Sequence, residues 1–349
     1  MDSIAKAALK RRTPRGRMIP EAKKPAVERA LRQAFGVMEF EDVRQLTEGL
    51  SSALVFRIVV RDRAYLLRVI TRDDAMGDPT RQFSCMKAGE EAGLAPRIWY
   101  ASVEDRVSIT DFVNAKPSSK AEALVRMPAT IRTLHGLAPF PRVVNYLESM
   151  DGFISRFQAS KSLPESETAD AFELYARARD VYPRDETDMV SSHNDLKPEN
   201  VLFDGERVWL VDWEAGFLND RYLDLAVVGN FVVTDEAEEK LFLHGYFGAE
   251  PTEYQLARFY LMRQILHMSY AAVFLAFGAA GQALDASAKV RDFRDFHDRV
   301  WTGEISLAGS QAKIEYARVH LKQALSEMHA PRFAEALRIV GDFHMHNRS

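Results

Sequence analysis

Residues 192–214 read Ser-His-Asn-Asp-Leu-Lys-Pro-Glu-Asn-Val-Leu-Phe-Asp-Gly-Glu-Arg-Val-Trp-Leu-Val-Asp-Trp-Glu, and the rest of the chain is organised around them. His193, Asp195 and Asn200 form an H-x-D-x-x-x-x-N pattern, and Asp212 closes the apolar run that follows. Val201-Leu202-Phe203, a turn at Asp204-Gly205, and Val208-Trp209-Leu210-Val211 predict a hairpin. Such a hairpin returns Asp212 to the neighbourhood of Asp195 and Asn200. That set suits phosphoryl transfer from a nucleotide. Asp195 takes or orients the acceptor hydroxyl, while the Asn200 amide and the Asp212 carboxylate hold Mg2+. Magnesium takes few hard oxygen ligands beside the phosphates themselves, so two side chains suffice. A polar loop with a capping Asp and a hydrogen-bonded His is the plainer alternative, and four polar positions at this spacing followed by a returning Asp weigh against it.

The stretch resembles the catalytic loop of the protein-kinase-like superfamily, and most closely that of its aminoglycoside phosphotransferase and choline/ethanolamine kinase branch. His193 to Asn200 differ from the protein-kinase H-R-D-L-K-P-E-N mainly at Asn194, where Arg is usual. Asp212-Trp213-Glu214 stands in place of Asp-Phe-Gly, and no Ala-Pro-Glu follows. Asp220-Arg221-Tyr222-Leu223-Asp224-Leu225-Ala226 is similar to the D-x-x-x-D-L-A element of the small-molecule kinases. The likeness runs over roughly residues 40–275 and is strongest at 190–231. It implies an α+β fold of two lobes, a small antiparallel β lobe and a larger mostly helical one, with Mg-ATP in the cleft. The expected organisation is a basic tail over 1–23, a nucleotide-binding lobe over 24–114, and a helical lobe over 115–349 that carries the catalytic loop and acceptor site.

Composition is ordinary for a soluble globular protein. The 349 residues are 47% hydrophobic and 28% charged, enough for two cores. A net charge of −4 argues against a general nucleic-acid binder. Cys85 is the single cysteine, so no intrachain disulfide forms, and a cytoplasmic location is expected. The start is basic rather than apolar and does not read as a secretion signal. The longest uncharged stretch, 268–284, falls short of the ~20 apolar residues of a membrane span and predicts a buried helix. The basic tail reads as a solvated terminus, with an anionic-surface or partner-binding arm as the functional alternative.

Along the chain, helical spacing predicts a helix over 24–35. Short strands follow at 43–46, 53–60 and 64–70, then a helix from Pro79 that Asp78 caps and Gly93 ends. Strands at 97–103 and 107–113 form a second hairpin. Helices are expected over 120–135, 145–160, 165–181, 253–277, 312–329 and 331–343.

The resemblance assigns the remaining site residues. Gly49, Ser51 and Ser52 occupy the place of the phosphate-covering loop. Arg68, on the third strand, takes the basic residue that bridges phosphate oxygens, a task that suits a forked guanidinium. The helix after it usually offers a Glu to that residue. Here Gln82 aligns, either as a neutral stand-in or because the helix is registered differently. Phe112 and Val113 lie at the hinge, where backbone meets adenine. Lys197 reaches the transferred phosphate, Asp224 fixes the catalytic loop through its backbone donors, and His193 orients that loop. Glu214 and Asp220 face the acceptor. His135 reads as a packed or capping residue. Phe259, Tyr260, His267, Tyr270 and Phe274 read either as core or as an aromatic pocket for an ammonium group. The acceptor implied is an amino alcohol such as choline or ethanolamine, with an aminoglycoside or sugar alcohol as alternatives. A nucleotide-binding pseudokinase is the rival of another class.

Overall fold

The computed structural model describes residues 19–46, 53–74, 77–278 and 289–347. The basic tail therefore lies almost wholly outside the described residues, and so do Gly49, Ser51 and Ser52. The chain divides into two compact units, one of residues up to Pro79 together with Arg97–Phe112, the other of Thr80–Pro96 and everything from Val113 onward.

In the first unit, helix α1 (Lys24–Phe35) has Pro25 in its first turn and stops at Gly36, which takes φ 72° and returns its N–H to Arg32 O at 2.9 Å. Strands β1 (Asp42–Gln45), β2 (Ala53–Val60), β3 (Arg63–Ile70), β4 (Ile98–Ser102) and β5 (Val107–Asp111) form one antiparallel sheet in the order β1-β2-β3-β5-β4. The β2–β3 turn has only Arg61 and Asp62 between the paired Val60 and Arg63, both in the left-handed region. The Glu41 carboxylate accepts both their N–H groups, at 2.7 and 3.2 Å, in place of the Asn-Gly such a turn favours. Strand alternation puts Phe56, Ile58, Leu67, Val69, Val107 and Ile109 on one face, buried with Val27, Ala30 and Leu31 of α1. Arg68, one residue out of phase, sits on the opposite face, in register with Val55 and Ser108.

The second unit begins with α2 (Pro79–Glu91). Then come α3 (Lys120–His135), opened by a Ser119/Glu122 capping box, α4 (Tyr146–Ser160), capped by Asn145, and α5 (Glu165–Val181). Strand β6 (Met189–Ser192) leads into the catalytic stretch, which holds the hairpin β7 (Val201–Phe203) and β8 (Val208–Leu210) and leaves through β9 (Phe217–Asp220). β6 and β9 pair antiparallel, from Met189 opposite Asp220 to Ser192 opposite Phe217. Helices α6 (Arg221–Val232), α7 (Glu236–Phe247), α8 (Glu253–Gly278), α9 (Phe293–Trp301), α10 (Ser310–Met328) and α11 (Pro331–Asn347) complete the unit. α8 is the hub, packed against α4, α5, α6, α10 and α11. It contains most of the uncharged stretch expected as a buried helix, and among the described residues no helix is long and apolar enough to cross a membrane.

The helix after β3 is counted with the larger unit instead of the nucleotide-binding lobe, because Arg81, Cys85, Gly89 and Leu94 all meet residues 210–216. The β7–β8 loop spans the four residues 204–207, as the two apolar runs imply. Phe203 pairs with Val208, and the Asp204 carboxylate accepts the N–H groups of Glu206 and Arg207 and the Trp209 indole at 2.8, 2.9 and 2.6 Å. Those donors, the Arg207 amide foremost, hold the Asp204 carboxyl down at about 2.

Candidate active site

β6 delivers His193 and Asn194 directly over the second residue pair of α6. Asp224, fully buried, accepts the His193 N–H at 2.9 Å and the Asn194 N–H at 2.7 Å. Its Oδ2 also takes the His135 Nε2–H at 3.2 Å, and His135 Nδ1 accepts in turn from the Tyr246 hydroxyl at 2.8 Å. His193 and His135 are thus both spent on fixing the loop. The His193 ring donates Nε2–H to Val211 O at 3.0 Å, which ties the loop to the strand before Asp212.

Asn194 stands at φ 65°, a conformation that Asn tolerates and a branched residue does not. Its Nδ2 donates to Ala215 O at 2.8 Å and lies within 3.3 Å of Phe217 O, while its Oδ1 accepts from Asn219 at 2.7 Å. The sequence marks Asn194 only as a departure from the protein-kinase pattern. The structure gives that departure a task.

Asp195 follows, partly exposed. Asn200 Nδ2 donates both to Asp195 Oδ2 and to Asp195 O, each at 2.8 Å, and Lys197 Nζ lies 2.9 Å from the same Oδ2. Burial raises the Asp195 pKa against the opposing pull of Lys197, and Asp212 adds to the rise. Burial works against the Lys197 charge, but Asp195, with Asp212 and Glu199, holds its pKa above the ordinary value. Asp212 sits one residue beyond Val211, whose N–H bonds Asn200 O at 3.0 Å, and takes φ 65° itself. The loop therefore brings together Asp195, Lys197, Asn200 and Asp212. Both Asn200 Nδ2 bonds go to Asp195, so the Asn200 amide oxygen is not the atom used there. An amide oxygen and a carboxylate are the hard donors that Mg2+ takes, so the residues present fit that ion. Among the described residues, no group of three or more His, Cys, Asp or Glu is placed to hold a metal.

The turn after Asp212 is held from two sides. Buried Arg81 of α2 donates through Nη1 to Glu214 O at 2.7 Å and Gly216 O at 2.8 Å. Gly89 makes room for Trp213, since a Cβ there would stand 2.5 Å from the indole. Sequence reading singled out Gln82 on this helix and passed over its neighbour Arg81, because nothing in the local pattern separates a buried Arg from a solvated one. Gln82 is buried too. Glu214, half-buried, lies in the short turn Trp213–Ala215.

Asp220 is placed elsewhere than expected. It is buried, caps α6 by accepting the Tyr222 N–H at 2.8 Å, and receives Arg258 Nη2 at 2.8 Å and the Tyr182 hydroxyl at 3.0 Å. A carboxylate so occupied does not face an acceptor. Of the α8 aromatics, Phe259, Tyr260 and His267 are core, whereas Tyr270 and Phe274 are partly exposed. Burial raises the pKa values of Tyr146, Tyr270 and Tyr316, and nearby groups add to it: Asp195 next for Tyr146, the other two tyrosines and then Asp195 for Tyr270, and Glu199 and then Asp195 for Tyr316. Only Tyr270 had been singled out. In the sheet unit, Arg68 and Phe112 are half-buried, and Arg57 lies 5.5 Å over the Phe112 ring. Val113 opens the second stretch of the larger unit.

Comparison with known families now decides the class. The profile of the phosphotransferase enzyme family (APH) matches residues 42–260. The chain belongs to this phosphotransferase family. Membership makes it an enzyme of the small-molecule kinase class. Its fold is similar to a choline/ethanolamine kinase family protein from Mesorhizobium loti, with TM-score 0.65 and 20% identity over 91% of this chain and 99% of that one. It is also similar to the choline kinase LicA of Streptococcus pneumoniae, with TM-score 0.59 and 15% identity over 88% and 99% of the two chains. A spectinomycin phosphotransferase, determined with ADP and spectinomycin, superposes with TM-score 0.53 and 12% identity over 90% and 97%. At the level of sequence, the LicA protein of Haemophilus influenzae is 47% identical over 36 residues, which is 10% of this chain and 14% of that protein.

Proposed function

We propose that this phosphotransferase moves the γ-phosphoryl group of ATP to the hydroxyl of a small amino alcohol, with choline and ethanolamine as the first candidates. The observation that carries the reading is the Asp195 carboxylate. It is braced by Asn200 and Lys197 on a loop that Asp224 holds by two backbone amides.

Asp195 accepts the acceptor's hydroxyl proton as the new oxygen–phosphorus bond forms, and the bond to the β-phosphate oxygen breaks with its electrons leaving on ADP. A raised pKa makes the carboxylate a better proton acceptor. Lys197 offsets charge on the transferred group. Asn200 and Asp212 would hold Mg2+, which when bound neutralises phosphate charge. Arg68 is assigned to the phosphates, the Phe112–Val113 backbone to adenine, and Gly49, Ser51 and Ser52 to the covering loop. Glu214 is assigned to the acceptor.

The amino-alcohol choice rests on Tyr146 and Tyr270, which are partly exposed and whose phenols feel the Asp195 charge, whereas Tyr316 is core. Aromatic faces beside a carboxylate attract an ammonium, an interaction worth about 0.5–2 kcal/mol per favourable contact. The names of the choline and ethanolamine kinase neighbours point the same way. The lone, buried Cys85 thiol, which burial pushes up to about 11, fits a reducing cytoplasm. ADP release in Mg-ATP, with choline, ethanolamine, aminoglycosides and sugar alcohols each added in turn, tests the proposal. Stimulation by an amino alcohol supports it. Stimulation by an aminoglycoside or sugar alcohol alone overturns the acceptor class, and ATP bound without turnover on any of them favours the pseudokinase.

A further inference from the structure

The catalytic segment 193–216 stands on a narrow base. β6 enters it and β9 leaves it, and a pair of four-residue strands is marginal without outside support. Asp188 precedes β6, and Asp220 ends β9 directly opposite Met189. Arg258 of α8 reaches both ends at once. Its Nη1 donates to Asp188 Oδ2 at 3.1 Å and to the Tyr254 hydroxyl at 2.9 Å, and its Nη2 to Asp220 Oδ2 at 2.8 Å and the Tyr182 hydroxyl at 3.3 Å. The guanidinium carbon lies 4.6 Å from the Tyr182 ring centroid and 4.7 Å from that of Tyr222. The side chain is 2% exposed.

The clip continues toward the loop. Asp220 caps α6, and α6 carries Asp224 one turn on, so the height of that helix end sets where the His193 and Asn194 amides are held. The second route runs through Asp188, whose Oδ1 lies 3.0 Å from Arg221 Nε and whose backbone O accepts the Arg221 N–H at 3.0 Å. A single planar fork joins two carboxylates on two strands, a geometry that an ammonium does not reproduce.

We propose that Arg258 is a positioning residue for phosphoryl transfer, clipping together the two strands at the base of the catalytic segment and setting the seat of the loop that carries Asp195. Buried ion pairs add little net stability once desolvation is counted, so geometry is the larger part of what this one supplies. Its removal leaves the buried Asp220 carboxylate without its cation, and the α6 cap loosens with it. The proposal rests on Asp195 as the base, and one arm of the test is chosen to be independent of that.

The test uses the full chain with Arg258→Met, Arg258→Lys and the milder Asp188→Asn, which weakens the clip on one strand only by removing its charge. Amide hydrogen exchange across 190–196 reads the loop itself. Exchange there is expected to rise in Arg258→Met and Asp188→Asn, while amides in α10 stay unchanged. With the best acceptor of the panel, kcat per folded enzyme is expected to fall about 100-fold in Arg258→Met, a loss typical of a misplaced reacting group, with KM for ATP little altered. Arg258→Lys should recover part of kcat. Unchanged exchange over 190–196 in Asp188→Asn overturns the proposal even if Arg258→Met fails to fold. A fall in thermal stability with kcat per folded enzyme kept within about threefold of wild type also overturns it. Loosened exchange in a chain with no turnover on any acceptor keeps the clip as the seat of the loop and refutes the phosphoryl-transfer reading on which its catalytic role rests.

Discussion

Replacing Asp195 by Asn separates chemistry from folding at the centre of the site. The amide is isosteric, and its oxygen still accepts from Asn200, whose Nδ2 now stands 2.8 Å from Asp195 Oδ2. What is lost is the negative charge and the ability to take a proton. Positioned general-base help is worth about 10²- to 10⁴-fold, or about 3–5 kcal/mol at the transition state, so kcat should fall by that factor. Stability should move the other way. The folded-state pKa of Asp195 lies above its unfolded value because burial disfavours the charge. The penalty is absent below the unfolded pKa, where both states are protonated, grows as the pH rises between the two values, and is fully present above the folded one. At pH 7 the variant's Tm should therefore equal or exceed wild type, and any gain should vanish on titration toward pH 3. Coupled ADP-release kinetics and thermal melts at pH 3–8 measure both quantities. Turnover above about a tenth of wild type would refute the base assignment, since even the weakest positioned base supplies more. A Tm several degrees lower would show that the carboxylate is held for structure.

Two further substitutions examine the loop's supports. Asp224→Ala leaves the buried amides of His193 and Asn194 without an acceptor, at about 1–3 kcal/mol each, so denaturant unfolding should show a loss of about 2–6 kcal/mol and kcat should fall with it. A loss under about 0.5 kcal/mol contradicts that account. Gly89→Ala opposes two effects: helix propensity favours Ala by about 1 kcal/mol, while its Cβ would stand 2.5 Å from Trp213 Cζ2, and overpacking costs about 1–3 kcal/mol. Destabilisation is expected, and a raised Tm would show that the Trp213 contact yields easily.

Elements with one exposed face were legible in the sequence. The helices at Lys24–Phe35, Lys120–His135 and Glu165–Val181 carry a helical period, and Lys120–His135 also has a capping box at its start and Gly136 at its end. α6 was not drawn as a helix because all its residues from Tyr222 to Val232 are buried, and a helix apolar on every side shows no period. The β6–β9 pairing escaped notice because its strands are four residues long and 24 residues intervene, so no turn announces the pair. Asp220 was misplaced for a related reason. Its partner, Arg258, lies 38 residues away on another helix, and sequence spacing does not report that meeting. Arg81 is the same case across a gap of 133 residues.

The departure at Asn194 and the short stretch between Asp212 and Asp224 have one physical explanation. Four consecutive carbonyls, Glu214 to Phe217, all carry side-chain donors. Arg81 takes Glu214 O and Gly216 O, and Asn194 takes Ala215 O and Phe217 O. Arg81 comes from α2 on one side and Asn194 from the catalytic loop on the other, so the turn after the proposed metal carboxylate is fixed as the chain folds. A protein kinase places a movable segment there and orders it by phosphorylation. Here no length of chain is left to move, and the donors that would wait on a phosphate are replaced by an amide and a guanidinium already in place. Such a turn is fixed whenever the protein is folded, with no phosphorylation step needed to order it.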